Sequence, residues 1–145
     1  MAKQVYMGYE CSFGVKVTPE AEDYTDFLDI TSVDYSSSVE KDEWYAFRDK
    51  GKKTSIVTGR EDSVSVTTKA LKDDVALKYC VLVGMTKSGS DAQVQCKLTI
   101  PTGFTIEGAA TVELSNPGTG DANAVPDVEI NFTFSGDYTI TKNEE

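Results

Sequence analysis

The sequence predicts a mostly-β chain: two packed antiparallel sheets, a sandwich or half-barrel, flanked by one α-helix near residues 72–83. Apolar and polar residues alternate with period two through most of the chain, the pattern of strands with one buried face and one wet face. Clusters of Gly, Pro, Asn and Asp break that alternation at short intervals, as the turns of a sandwich do. One stretch switches to helical spacing. With 145 residues, 39% hydrophobic and 26% charged, residues 1–145 are expected to form a single globular domain around one core.

Taken in order, a first strand begins near Tyr9 and ends on Val15-Lys16-Val17-Thr18. Residues 27–36 alternate as a second, and Trp44, Ala46 and Arg48 alternate with Tyr45 and Phe47 in a short third. The β-branched runs 53–58 and 63–69 flank Gly59-Arg60-Glu61-Asp62, which predicts a hairpin with a four-residue turn. Between 72 and 83 the apolar residues Val75, Ala76, Tyr79, Cys80, Leu82 and Val83 recur at i, i+4, i+7 spacing, a helical stripe. Asp73 and Asp74 suit the positive end of that helix, and Gly84 is expected to stop it. Strands resume at 94–100, 110–114, 128–136 and 138–140, ahead of a polar tail at 141–145, for about eight in all. The acidic segment 18–26 and the polar residues 36–52 read as long exposed loops or arms, and loops of that length in a small domain are usually functional or disordered.

Composition limits the chemistry. Histidine is absent, which removes every Ser–His and Cys–His nucleophile. A Ser–Lys or paired-carboxylate site stays open, but no pair stands out, and no catalysis is expected. Three widely spaced cysteines, Cys11, Cys80 and Cys96, form no C-x-x-C pair, so neither a disulfide framework nor a zinc site is expected. Cys80 reads as a small buried hydrophobe. Gly51-Lys52-Lys53-Thr54 lacks the upstream glycine of a phosphate loop, since Ala46 stands there. Asp121-Ala122-Asn123 lacks the glycine and glutamate of a calcium loop. The sequon Asn131-Phe132-Thr133 lies in a strand. No cofactor is expected. No run approaches the ~20 apolar residues of a membrane helix. The opening MAKQVYMGYE has no apolar stretch, so folding in the cytosol where the chain is made is the expectation.

Charge is more informative. The net charge is −10, yet residues 51–100 carry 8 basic and 5 acidic side chains, while both ends are acidic. Such a chain is a poor binder of phosphate backbones. Its carboxylates serve solubility, or they line a surface past which DNA slides without sticking.

The element order supports a resemblance. A strand and a long polar loop precede Lys52-Lys53-Thr54-Ser55-Ile56-Val57-Thr58-Gly59-Arg60, an alternating strand, a short helix, and a β-rich second half that carries Glu129-Ile130-Asn131-Phe132-Thr133-Phe134-Ser135-Gly136. Over roughly residues 28–140 the chain resembles the major tail tube proteins of long-tailed, siphovirus-like bacteriophages. The resemblance implies a structural virion protein of the phage tail: six copies join sheets edge to edge into a ring, and rings stack into the tube through which DNA is ejected. It implies a homo-oligomer that meets tape measure, tail terminator and distal tail proteins, touches DNA only in transit and has no membrane partner. The stacking loop would be residues 36–52, with Trp44, Tyr45, Phe47, Arg48, Lys50 and Lys52 as contacts. Val75, Tyr79 and Leu82 would pack the helix on the sheet, and Glu113, Asp127, Glu129 and Asp137 would face an acidic lumen. The acidic segment 18–26 departs from the pattern by its length. The competing reading is an immunoglobulin-like adhesion or virion decoration module that binds through loops such as residues 116–125.

Overall fold

Eight antiparallel strands and one helix make up the chain in a computed structural model that describes residues 3–18, 20–136 and 138–142. The strands are β1 (Ser12–Val15), β2 (Thr25–Asp26), β3 (Ile30–Tyr45), β4 (Lys53–Lys69), β5 (Gln93–Ile100), β6 (Phe104–Asn116), β7 (Asp127–Phe134) and β8 (Thr139–Lys142), with helix α1 (Val75–Thr86) between β4 and β5. They form one hydrogen-bonded sheet in the order β2-β1-β5-β6-β7-β4-β3, with β8 added to β6. The mostly-β antiparallel architecture with a single helix is as expected, but the strands form one sheet rather than two.

That sheet curls. β2 and β3 lie at its two ends, yet only residues 27–29 separate them in the chain, so the covalent backbone brings the ends together. Phe13 of β1 meets Phe132 of β7 at a ring separation of 4.9 Å and stacks on Phe27 at 6.0 Å. Strands three places apart in the sheet thus touch across the interior. A curled sheet and a pair of packed sheets impose the same in–out alternation, which is why the pattern alone did not separate them. Alternate residues fill the core: Val94, Cys96 and Leu98 from β5, Ile106, Ala110 and Val112 from β6, and Val128, Ile130, Phe132 and Phe134 from β7.

Helix α1 starts at Val75 because Asp74 caps it. The buried Asp74 carboxylate accepts from the backbone N–H of Leu77 at 3.1 Å and, with its other oxygen, from that of Leu28 at 3.0 Å. One side chain therefore satisfies an orphan helix donor and holds the chain between β2 and β3. The helix runs through Gly84, which was expected to end it. A Cβ there would meet Leu114 Cγ at 2.6 Å, so glycine serves close approach to β6 instead of termination. The packing residues also differ from expectation. Val75 and Leu82 are 57% and 53% exposed, whereas Ala76, Leu77, Cys80 and Val83 are buried and Tyr79 is partly buried against the core. Lys78 is the helix's one charged residue, so apolar side chains surround it and periodicity does not single out one face.

The largest correction concerns residues 30–69. The segments 53–58 and 63–69 are not two strands around a turn at 59–62. They belong to the single 17-residue strand β4, because β3 offers a pairing partner along almost its whole length. Ser37, Ser38, Val39 and Glu40 pair with Asp62, Glu61, Arg60 and Gly59, and a bulge beyond Glu40 absorbs one extra residue. Residues 36–45, expected as part of a loop, complete β3. The chain reverses at residues 46–52 through a 3-10 turn (Phe47–Asp49), with Lys50 and Gly51 in left-handed conformation at φ 55° and 84°.

Candidate assembly surfaces

Two surfaces stand out, an arm and a polar face. β7 pairs with β4 only from Ser63 to Lys69. Beyond Asp62 no other described strand pairs with β3 or β4, which run on as a two-stranded ribbon about ten residues long, or roughly 30 Å at ~3.3 Å per residue. Exposed apolar groups lie along it: Val39, Trp44, Tyr45, Ile56, Val57 and, at the tip, Phe47 with a fractional exposure of 105%. Strand alternation divides them. Asp42 pairs with Ile56 and Trp44 with Thr54, which puts Trp44 and Ile56 on one side. Lys41 pairs with Val57 and Tyr45 with Lys53, which puts Tyr45 and Val57 on the other. Lys53 and Glu43 form an ion pair at 2.9 Å. Trp44, Tyr45, Phe47, Arg48, Lys50 and Lys52, singled out from sequence, therefore gather at the far end of one arm.

The root of the arm is polar and centres on the buried Asp62. Asp62 accepts hydrogen bonds from the Tyr35 hydroxyl at 2.7 Å and the Tyr138 hydroxyl at 2.5 Å. Burial pushes its carboxyl up, but hydrogen bonds from Ser37, Tyr138 and Tyr35, together with the Arg60 charge, hold it below the usual carboxylate range. The same hydrogen bond and burial push the Tyr138 hydroxyl up to about 12. Burial, then the bond to Asp62, raises Tyr35 as well. Sequence reasoning placed Asp62 in a turn and missed this cluster, since the four residues 59–62 between two β-branched runs have the spacing of a hairpin turn.

The second surface is the outside of the curled sheet. Glu129 pairs with Thr67, Asp127 with Lys69, and Asn131 with both Ser65 and Glu113. These residues alternate with the buried ones of their strands, so Glu113, Asp127 and Glu129 share one face, as anticipated. Asp127 forms an ion pair with Lys69 at 2.7 Å. Asp137 lies outside the described residues. Alternation adds Asp34, opposite Ser65, and Glu107, opposite Lys97, which the sequence reading did not single out. Between these acids the face carries small polar groups such as Ser63, Thr111 and Thr133. Cys80 and Cys96 play no part in either surface: both are buried, and burial pushes the Cys96 thiol up to about 12.

No protein-family profile matches the chain, and no curated protein matches it in sequence. Solved structures do match. The tail of an empty gene transfer agent particle, refined with C6 symmetry, superposes with a TM-score of 0.71 at 12% identity, covering 94% of this chain and 99% of that one. The SPP1 tail tube gives 0.67 at 12% identity, with 96% and 80% covered. The sheath/tube terminator of an extracellular contractile injection system, PVC, gives 0.59 at 12% identity, with 97% and 99% covered. Likeness at this identity is likeness of fold, and on that ground the chain has the tail tube fold.

Proposed function

We propose that the chain is a structural tail tube subunit of a siphovirus-like virion: six copies close a ring, rings stack, and DNA passes through the bore. One observation carries this reading. The arm formed by β3 and β4 has aromatic and aliphatic side chains exposed on both sides, and an isolated two-stranded ribbon is marginal in water. Neighbouring copies would cover it. Among the described residues no strand pairs with the outer edge of β3, and such edges invite strand addition. Joining edges around a ring removes them, and a head-to-tail contact between rings repeats into a tube. The C6 symmetry of the gene transfer agent tail supports six copies. The polar outer face then lines the bore, where its carboxylates repel phosphate. On this reading the chain is not an enzyme, sits in the phage tail, and meets tape measure, tail terminator and distal tail proteins at the tube ends.

Negative-stain microscopy of the purified chain at rising concentration tests the proposal. Rings or hollow tubes are expected. A species that stays monomeric at every concentration and salt would overturn it.

A further inference from the structure

We propose, resting on the tube reading, that the basic tip of the arm docks on the acidic β1–β2 loop of the next copy along the tube. Strand directions set the geometry. β2 and β3 both run antiparallel to β1: β2 pairs with it directly, and β3 is related to it through β5, β6, β7 and β4, each antiparallel to the next. β3 ends in the arm tip, whereas residues 16–24 join the end of β1 to the start of β2. The tip and that loop therefore lie at opposite ends of the sheet. A contact between opposite ends of successive copies is head-to-tail and propagates without closing.

Charge matches the two ends. Arg48, Lys50, Lys52 and Lys53 line an open recess of about 380 Å³ at the tip; Lys53 is paired with Glu43, and Arg48, Lys50 and Lys52 make the rest of the recess a concentration of cations in a chain of net charge −10. At the other end, Glu20, Glu22, Asp23 and Asp26 are all exposed. Lys16 and Lys97 lie over the Tyr24 ring at 5.2 and 5.9 Å, which leaves the carboxylates in excess there. Phe47, beside the cations, supplies an apolar anchor. Opposite potentials set partner and register, and like charges brought together by a wrong orientation are penalised. This gives the long acidic insertion between the first two strands a role: it is the receptor for the arm.

Charge reversal tests the pairing. The tip variant K50E/K52E, the loop variant E22K/D23K and the fourfold combination all change exposed side chains, and far-UV circular dichroism checks each fold. Tube formation is read by sedimentation and microscopy at about 0.1 M salt, where exposed charges still act over ~10 Å. The expected result is a loss of pelleted tubes of about tenfold or more in each double variant, with recovery in the combination. Should a reversal prevent folding, the K50Q/K52Q and E22Q/D23Q pairs replace it, and both are expected to reduce assembly. A folded double variant that assembles like the unaltered chain would overturn the pairing, as would a folded combination that remains unassembled. Failure of the unaltered chain itself to assemble would instead overturn the tube reading.

Discussion

The Tyr138 hydroxyl lies 2.5 Å from Asp62 Oδ2, joining the segment that enters β8 to the strand from which the arm departs. Tyr138 also packs its ring 5.4 Å from that of Phe134 and lies against Gly108, where no side chain would fit. Replacing Tyr138 with Phe keeps the ring and removes one donor to a buried carboxylate. The expected loss is ~1–3 kcal/mol, because a buried group left short of a partner bears its desolvation penalty. Urea denaturation reads it out. An unchanged midpoint would show that Asp62 finds another donor.

The same cluster makes stability depend on pH in two directions. Asp62 is held below its ordinary value, so its contribution is present above the unfolded pKa of ~3.9 and is lost as pH falls through the lower folded value. Tyr138 is raised to about 12, so its contribution is complete below the unfolded value of ~10 and is lost as pH climbs towards the folded one. Urea midpoints measured from about pH 2 to pH 12 should fall at both extremes. Asp62→Asn should flatten the acid fall and Tyr138→Phe the alkaline one. An acid limb unaltered in Asp62→Asn would assign that fall to other carboxylates.

Asp74 does two tasks with one carboxylate, capping α1 and holding the Leu28 N–H. Asp74→Ala should therefore cost more than an ordinary cap, about 2–3 kcal/mol against a typical ~1. Asp74→Asn, which keeps one acceptor oxygen, should recover part of the loss. Thermal denaturation of the two variants gives the comparison, and equal losses would show that the second bond contributes nothing.

What the sequence revealed and what it hid share a physical origin. Residues 128–134 read correctly as a strand because Val128, Ile130, Phe132 and Phe134 are buried on one face and their neighbours are not. Residues 59–62 misread because turn chemistry is local, while the pairing that overrides it comes from β3 some twenty residues away. Curling was invisible because it is fixed by contacts such as Phe13 with Phe132, which are remote in sequence. The arm tip was legible as an exposed, aromatic and basic stretch. Its shape was not: an exposed strand lacks the burial alternation by which strands are recognised, and every residue of β3 from Asp34 to Tyr45 is exposed.

Trp44 and Phe47 have no part in the buried core, so Trp44→Ala and Phe47→Ala should leave the unfolding midpoint of the subunit within ~0.5 kcal/mol of the original. Assembly should respond otherwise, since a buried aromatic anchor at an interface is often worth about 2 kcal/mol or more. Folded variants that form rings but few tubes are the expected outcome. Tubes of normal length from both variants would move the stacking contact away from the arm tip.

On the polar face, Glu113 and Glu129 point to the same side as Asn131, which pairs with Glu113 and neighbours Glu129 in β7. The double replacement E113K/E129K changes the charge of each subunit by four without touching the core. Repeated around a ring, it would turn a face that repels phosphate into one that holds it, and each phosphate neutralised releases counterions and makes binding fall steeply with salt. Tubes of the variant, pelleted with linear duplex DNA and washed at increasing salt, should retain DNA at low salt and release it at high salt, while unaltered tubes retain little at either. Because the same lysines on an outer surface would also bind DNA, the comparison is repeated with DNA circles too large to enter the bore. Retention of linear ends in preference to circles places the face inside, whereas equal retention of both forms would place it on the outside of the assembly and remove its role as lining.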